Sequence, residues 1–131
     1  MTAELTALVL AILLGFVHLF AAANTATRVR GIEWNASARD EEKPPLPGVA
    51  GRLDRAFRNY LETFAFFAAA VLIVHAAGRH NALTFYGPWL YLLARVVYLP
   101  LYAAGIPYAR SAIWLVSVVG IVMILAGLYW P

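Results

Sequence analysis

Long apolar runs and short polar breaks alternate along the chain. Four of the runs reach the about 20 residues needed to cross a hydrocarbon core about 30 Å thick at about 1.5 Å per residue. They predict helices over about 5–28, 52–78, 84–104 and 108–130. The first run ends at Arg28 and Arg30, and the second opens amphipathically at Arg52 before turning wholly apolar from Phe64 to Ala77. Between them lies a polar stretch containing Asp40-Glu41-Glu42-Lys43-Pro44-Pro45-Leu46-Pro47-Gly48. Charge resists burial and proline disrupts helix, so this stretch predicts a solvated linker with extended proline conformations. The other two connections are short, which makes successive helices antiparallel. The pattern as a whole predicts an all-α, integral membrane four-helix bundle, a single transmembrane domain over residues 1–131. Ala21-Ala22-Ala23 resembles a small-residue cleavage site. Glu4 and the lack of Lys or Arg ahead of the apolar run argue instead for a retained helix.

Composition sharpens this picture. Hydrophobic residues make up 63% of the chain and charged residues 13%, against about a quarter charged in an average soluble domain. That is too little charge to wet a soluble surface, and the mean hydropathy is +0.72. The net charge of +3 comes from basic residues beside apolar spans, not from a basic stripe interleaved with aromatics. This excludes nucleic acid as the expected partner and favours an orienting role at a membrane. Cysteine is absent, so no disulfide, thiolate metal site or cysteine nucleophile is available. His18, His75 and His80 have no ligand spacing, and no metal site is expected. Nine of the ten basic residues are Arg and alanine is abundant, which points to a GC-rich bacterial source. Arg28, Arg30, Arg39, Lys43, Arg52, Arg55, Arg58 and Arg110 belong to one membrane side and Arg79 to the other. The positive-inside rule makes the first loop cytoplasmic and sends both termini outward, in a bacterial inner membrane. The sequon Asn35-Ala36-Ser37 then lies on the wrong side for glycosylation.

Polar residues recur at membrane depth, where a charge at the centre costs at least about 2.5 kcal/mol. On the second span Arg52, Arg55, Asn59 and Glu62 follow spacings of three, four and three, which puts them on one face. On the third, Arg95, Tyr98 and Tyr102 do the same. Counting from Arg52 to Glu62, and back from Gly105 to Arg95, both charges lie ten residues, or about 15 Å, into the membrane. A Glu62–Arg95 pair is therefore expected, in one subunit or between neighbours, so that neither charge is buried alone. Asn59 with Tyr98, then Arg55 with Tyr102, would match at successively shallower levels. Such a ladder either holds helices together or lines a pocket for an anionic ligand, whose carboxylates suit bidentate guanidinium. Pro100 removes a hydrogen bond beside this pocket and predicts a kink. His18, near the bilayer middle, is expected as a hydrogen-bonded interior residue. Ser117, Gly120 and Gly127 permit close packing of the fourth helix.

The segment Arg52-Leu53-Asp54-Arg55-Ala56-Phe57-Arg58-Asn59-Tyr60-Leu61-Glu62 resembles the second-helix signature of the MAPEG proteins, the membrane-associated proteins of eicosanoid and glutathione metabolism. Ala94-Arg95-Val96-Val97-Tyr98-Leu99-Pro100-Leu101-Tyr102 resembles the third-helix pattern of that family, and Arg110-Ser111 with Trp114 the start of its fourth helix. The resemblance implies a homotrimer that binds glutathione as co-substrate between subunits. By the same implication Arg30, Arg55, Asn59, Glu62, Arg95, Tyr98 and Tyr102 form the glutathione site, and Arg110 stabilises the thiolate. The function implied is a glutathione-dependent membrane transferase or peroxidase acting on hydrophobic electrophiles, in contact with membrane lipids. Thr63 stands where the eicosanoid-making branch has a tyrosine. Two other readings are a small multidrug-type transporter using Glu62 as a proton-exchanging carboxylate, and a non-catalytic membrane protein that binds lipid headgroups through its basic rim.

Overall fold

The computed structural model describes residues 1–131 and is helical without strands. Its elements are α1 (Ala3–Arg30), α2 (Ile32–Ala36), α3 (Gly48–Ala76), α4 (Ala82–Ala103) and α5 (Pro107–Ala126). Four of them, α1, α3, α4 and α5, are long and apolar enough to cross a membrane. The chain is an integral membrane four-helix bundle. Two departures from the sequence reading concern the first connection. α3 begins at Gly48, ahead of the expected 52, and a short helix, α2, which the sequence reading did not include, precedes the proline run; residues 37–47 are free of helix, as expected of the linker. The Trp34 indole holds this turn to the linker by donating to the Glu41 carbonyl at 2.9 Å.

α3 and α4 form the centre. Each packs on the other and on both remaining helices, while α1 and α5 do not touch. The up-and-down order is visible in its fastenings. At one end Glu4 of α1 meets His80 in the α3–α4 turn at 3.1 Å, and the Asn81 side chain donates to the Gly127 carbonyl at 2.8 Å. At the other end Arg52 Nε donates to the Ala103 carbonyl at 2.8 Å, satisfying one of the orphan carbonyls at the end of α4.

Both short turns use the same device. Gly78 (φ 63°) and Gly105 (φ 76°) adopt left-handed conformations. Arg79 and Ile106, one residue further on, return hydrogen bonds to the Val74 and Leu101 carbonyls, as in a Schellman motif. α4 and α5 come closest of all. A Cβ on Gly87 would lie 2.8 Å from the Gly120 carbonyl oxygen, and one on Gly120 would lie 2.8 Å from that of Gly87. Gly120 and Gly127 thus serve the close packing expected of them, with Gly87 as the partner on α4. The apolar core of Phe67, Ala70, Val71, Val74, Tyr91, Leu92 and Ile124 occupies the half of the bundle away from the basic end.

Candidate functional site

The inward face of α3 is Ala56, Tyr60, Thr63, Phe67, Ala70 and Val74, a seam with spacings of four, three, four, three and four. The polar stripe of Arg55, Asn59 and Glu62 lies one residue behind it, and each helical residue turns the face by about 100°. That rotation decides the fate of the expected ion pair. Glu62 is exposed on the outer surface of the bundle, and the ion pairs within the chain are Lys43–Glu41, Arg58–Asp54 and His80–Glu4. The Glu62–Arg95 pair is not formed within the chain. Arg95 is 0% exposed, so its own chain also closes it to a carboxylate approaching from outside. What packs against its guanidinium is Tyr60, the inward neighbour of Asn59.

On α4 the expected face is the inward face. Arg95 and Tyr98 are buried, and Tyr102 lies at the mouth, half-buried. A run of guanidinium and aromatic groups follows. Tyr102 receives a hydrogen bond from Arg55 Nε at 3.2 Å, and Arg110 lies over its ring, 4.6 Å from the centroid. Tyr98 meets Tyr102 edge-on at 5.6 Å. Arg95 then lies over the rings of Tyr98 (4.2 Å) and Tyr60 (5.3 Å). Tyr60 donates its hydroxyl to the Ala11 carbonyl and stacks on His18 at 4.5 Å. His18 is an interior residue whose Nδ1 donates to the Leu14 carbonyl at 3.0 Å. The expected shallow match of Arg55 with Tyr102 is present. The Asn59–Tyr98 match is not, because the Asn59 Oδ1 and the Tyr98 hydroxyl find no partner.

At the basic end the bundle opens into adjoining clefts. One is lined by Arg52, Arg55, Tyr102, Gly105, Ile106, Pro107 and Arg110, three guanidinium groups and no carboxylate. The next contains Arg30, Asp54, Arg55 and Arg58, with Asp54 held by Arg58 at 3.2 Å. Arg55 belongs to both. Pro107 opens α5 with no side chain capping its first turn, so free backbone N–H groups and the positive end of the helix dipole add to Arg110. Anion binding is the chemistry such a cleft performs, since donors and field converge without an internal counter-charge.

Of the sequence-predicted site residues, the fold brings together Arg55, Arg95, Tyr98, Tyr102 and Arg110. Arg30 joins through the neighbouring cleft, Asn59 lies behind the seam, and Glu62 faces away. Sequence reasoning put Arg52 on the polar stripe offered for a ligand but not among the glutathione-site residues, and it passed over Tyr60 as the inner cradle of Arg95. Tyr60 was legible in the apolar seam running from Ala56 to Val74. The face of Arg52 was legible too, but its hydrogen bond to the Ala103 carbonyl was not, since that depends on where α4 ends. Glu62, the carboxylate a transporter would use, is exposed on the outer surface, and the buried carboxylate, Glu4, lies at the opposite end against His80.

Comparison with protein families gives a match to the MAPEG family over residues 6–130. No curated protein and no solved structure matches the chain.

Proposed function

The chain belongs to the MAPEG family, and from that premise we propose that it is a glutathione-dependent membrane transferase or peroxidase acting on hydrophobic electrophiles. The observation that carries this reading is the cleft around Tyr102, where Arg52, Arg55 and Arg110 converge without an acidic residue. Glutathione has two carboxylates, and each guanidinium can grip one bidentately. Arg55 and Arg52 anchor the peptide and Arg110 lies nearest the sulfur. A guanidinium there lowers the thiol pKa and raises the thiolate fraction at neutral pH. In transfer, the thiolate forms a bond to an electrophilic carbon and the leaving group departs with the bonding pair. In the peroxidase version the thiolate attacks a peroxide oxygen, the O–O bond breaks with its pair leaving on an alkoxide that is protonated to the alcohol, and a second glutathione displaces water from the sulfenic acid to give the disulfide. Both co-reactants partition as the site requires, one from water at the basic end and the other from the lipid. The reading places the basic end in the cytoplasm of a bacterial cell and assembles the chain as a homotrimer.

The test is glutathione binding by calorimetry together with conjugation to a nitroaryl chloride. Arg55→Ala removes one charge-assisted contact and is expected to weaken binding about 10- to 100-fold. Arg110→Ala is expected to lower turnover with little change in affinity and to move the pH–rate midpoint upward, because the thiol then ionises at higher pH. Absence of binding at millimolar glutathione overturns the proposal.

A further inference from the structure

A third cleft at the basic end is not used by this reading. It lies where α1 gives way to α2, with a volume of about 760 Å³. Its charged lining is Arg28, Arg30, Lys43, Glu33 and Glu41. Counting twenty residues from Leu5 ends the hydrocarbon core near Asn24, so Arg28 lies about 6 Å beyond it, within the headgroup layer. Val29 and Ile32 are exposed beside the cleft and continue its rim into the apolar phase.

We propose that this cleft holds the headgroup of a phospholipid of the surrounding leaflet, and that it selects a zwitterionic phosphoethanolamine. The cleft is amphoteric. Lys43 and Glu41 pair at 3.1 Å, and Arg30 donates to the Pro44 carbonyl and lies over the Trp34 ring, which leaves Arg28 and Glu33, neither of which forms an ion pair or a side-chain hydrogen bond within the chain. A phosphate suits the free guanidinium, and a primary ammonium suits the free carboxylate. A headgroup carrying only negative charge would answer Arg28 but leave the Glu33 carboxylate without a partner. Choline is disfavoured for another reason. It has no N–H to donate and is recognised by open aromatic faces. Here the Trp34 ring is covered by Arg30 and Arg39, whose guanidinium carbons lie 5.0 and 5.5 Å from its centroid. Its N–H is also spent on the Glu41 carbonyl. The linker thus covers the ring of its single tryptophan, which lines the cleft, with two guanidinium groups. This site shares Arg30 with the cleft beside the glutathione reading, but the two residues it rests on, Arg28 and Glu33, do not line the cleft around Tyr102.

The test uses the full chain in lipid nanodiscs of phosphatidylcholine containing equal small fractions of phosphatidylethanolamine and phosphatidylglycerol, with retained lipid counted by native mass spectrometry. The wild type is expected to retain phosphatidylethanolamine about tenfold over either other lipid, the return on one charge-assisted contact. Glu33→Gln is expected to abolish that preference and favour phosphatidylglycerol, and Arg28→Gln to reduce retention of both. Both residues are exposed, so the thermal midpoints of the variants should match the wild type. Equal retention of the three lipids, a wild-type preference for phosphatidylglycerol, or a preference unchanged in both variants overturns the proposal. Displacement of the retained lipid by millimolar inorganic phosphate overturns the lipid assignment in particular.

Discussion

Arg95 is a guanidinium sealed between two tyrosine rings inside a membrane bundle, without a hydrogen-bond partner for any of its nitrogens. A lone charge at such depth costs at least about 2.5–3.5 kcal/mol. Two desolvated cation–π contacts, each worth about 2 kcal/mol, are of the size needed to offset that. Charge and volume should therefore separate on mutation. Arg95→Met, similar in length and apolar, is expected to change unfolding free energy by less than about 1 kcal/mol. Arg95→Ala leaves a void between Tyr60 and Tyr98 and is expected to cost about 2–4 kcal/mol. Thermal or denaturant unfolding in detergent checks both, and equal losses in the two variants would mean that the charge itself is stabilising. Tyr60→Phe leaves the Ala11 carbonyl without its donor and should cost about 1 kcal/mol by the same measurement. At this scale the identity of the deep polar residues was legible in the sequence, because charge inside an apolar run stands out. Their partners were not. Neutralising one buried charge with another is only one solution, and here aromatic faces supply a second.

For the helices, phase and closeness are what count. The polar stripe of α3 and its apolar seam differ by one residue, and the seam faces α4 because Tyr60, Phe67 and Val74 fill space that charged side chains cannot. The closeness of α4 and α5 rests on glycine. Gly120→Ala would drive a methyl into the Gly87 carbonyl and the Tyr91 backbone, both 2.8 Å away. It should separate the helices at a loss of about 1–3 kcal/mol. Gly15→Ala on α1 meets only the edge of the Tyr60 ring at 3.3 Å and should cost less, which parallel unfolding curves would show. A separation of α4 from α5 would also displace Arg110 from Tyr102, so Gly120→Ala should reduce activity before it unfolds the chain. The small residues of α5 were readable from the sequence. Their partner Gly87 was not, since the register of two antiparallel helices depends on the length of the turn between them.

Across the whole molecule, eight of the ten basic residues gather at one end, Arg79 stands at the other and Arg95 lies between. Cysteine is absent, so single cysteines report topology cleanly. Ser37→Cys should be labelled by an impermeant maleimide only after cell lysis, and Arg79→Cys in intact spheroplasts. The reverse pattern would invert the orientation. Much of the surface of each span is apolar and exposed in the single chain, as lipid or a neighbouring subunit requires. The proposed homotrimer predicts three chains per particle by light scattering in mild detergent.

The sequence by itself determined that the chain spans a membrane four times, which end is basic, and which residue types lie at depth. Each of these follows from composition along one dimension, where the thickness of the bilayer sets the ruler. The tertiary structure decided which faces meet. Rotation of α3 by one residue replaced an expected ion pair with a tyrosine cradle. The end point of α4 made Arg52 part of the cleft, and the folding of the linker brought Arg28 and Glu33 to one rim. Such outcomes depend on helix phase and close packing, which a pattern of polar and apolar positions constrains only to within about one residue in each turn.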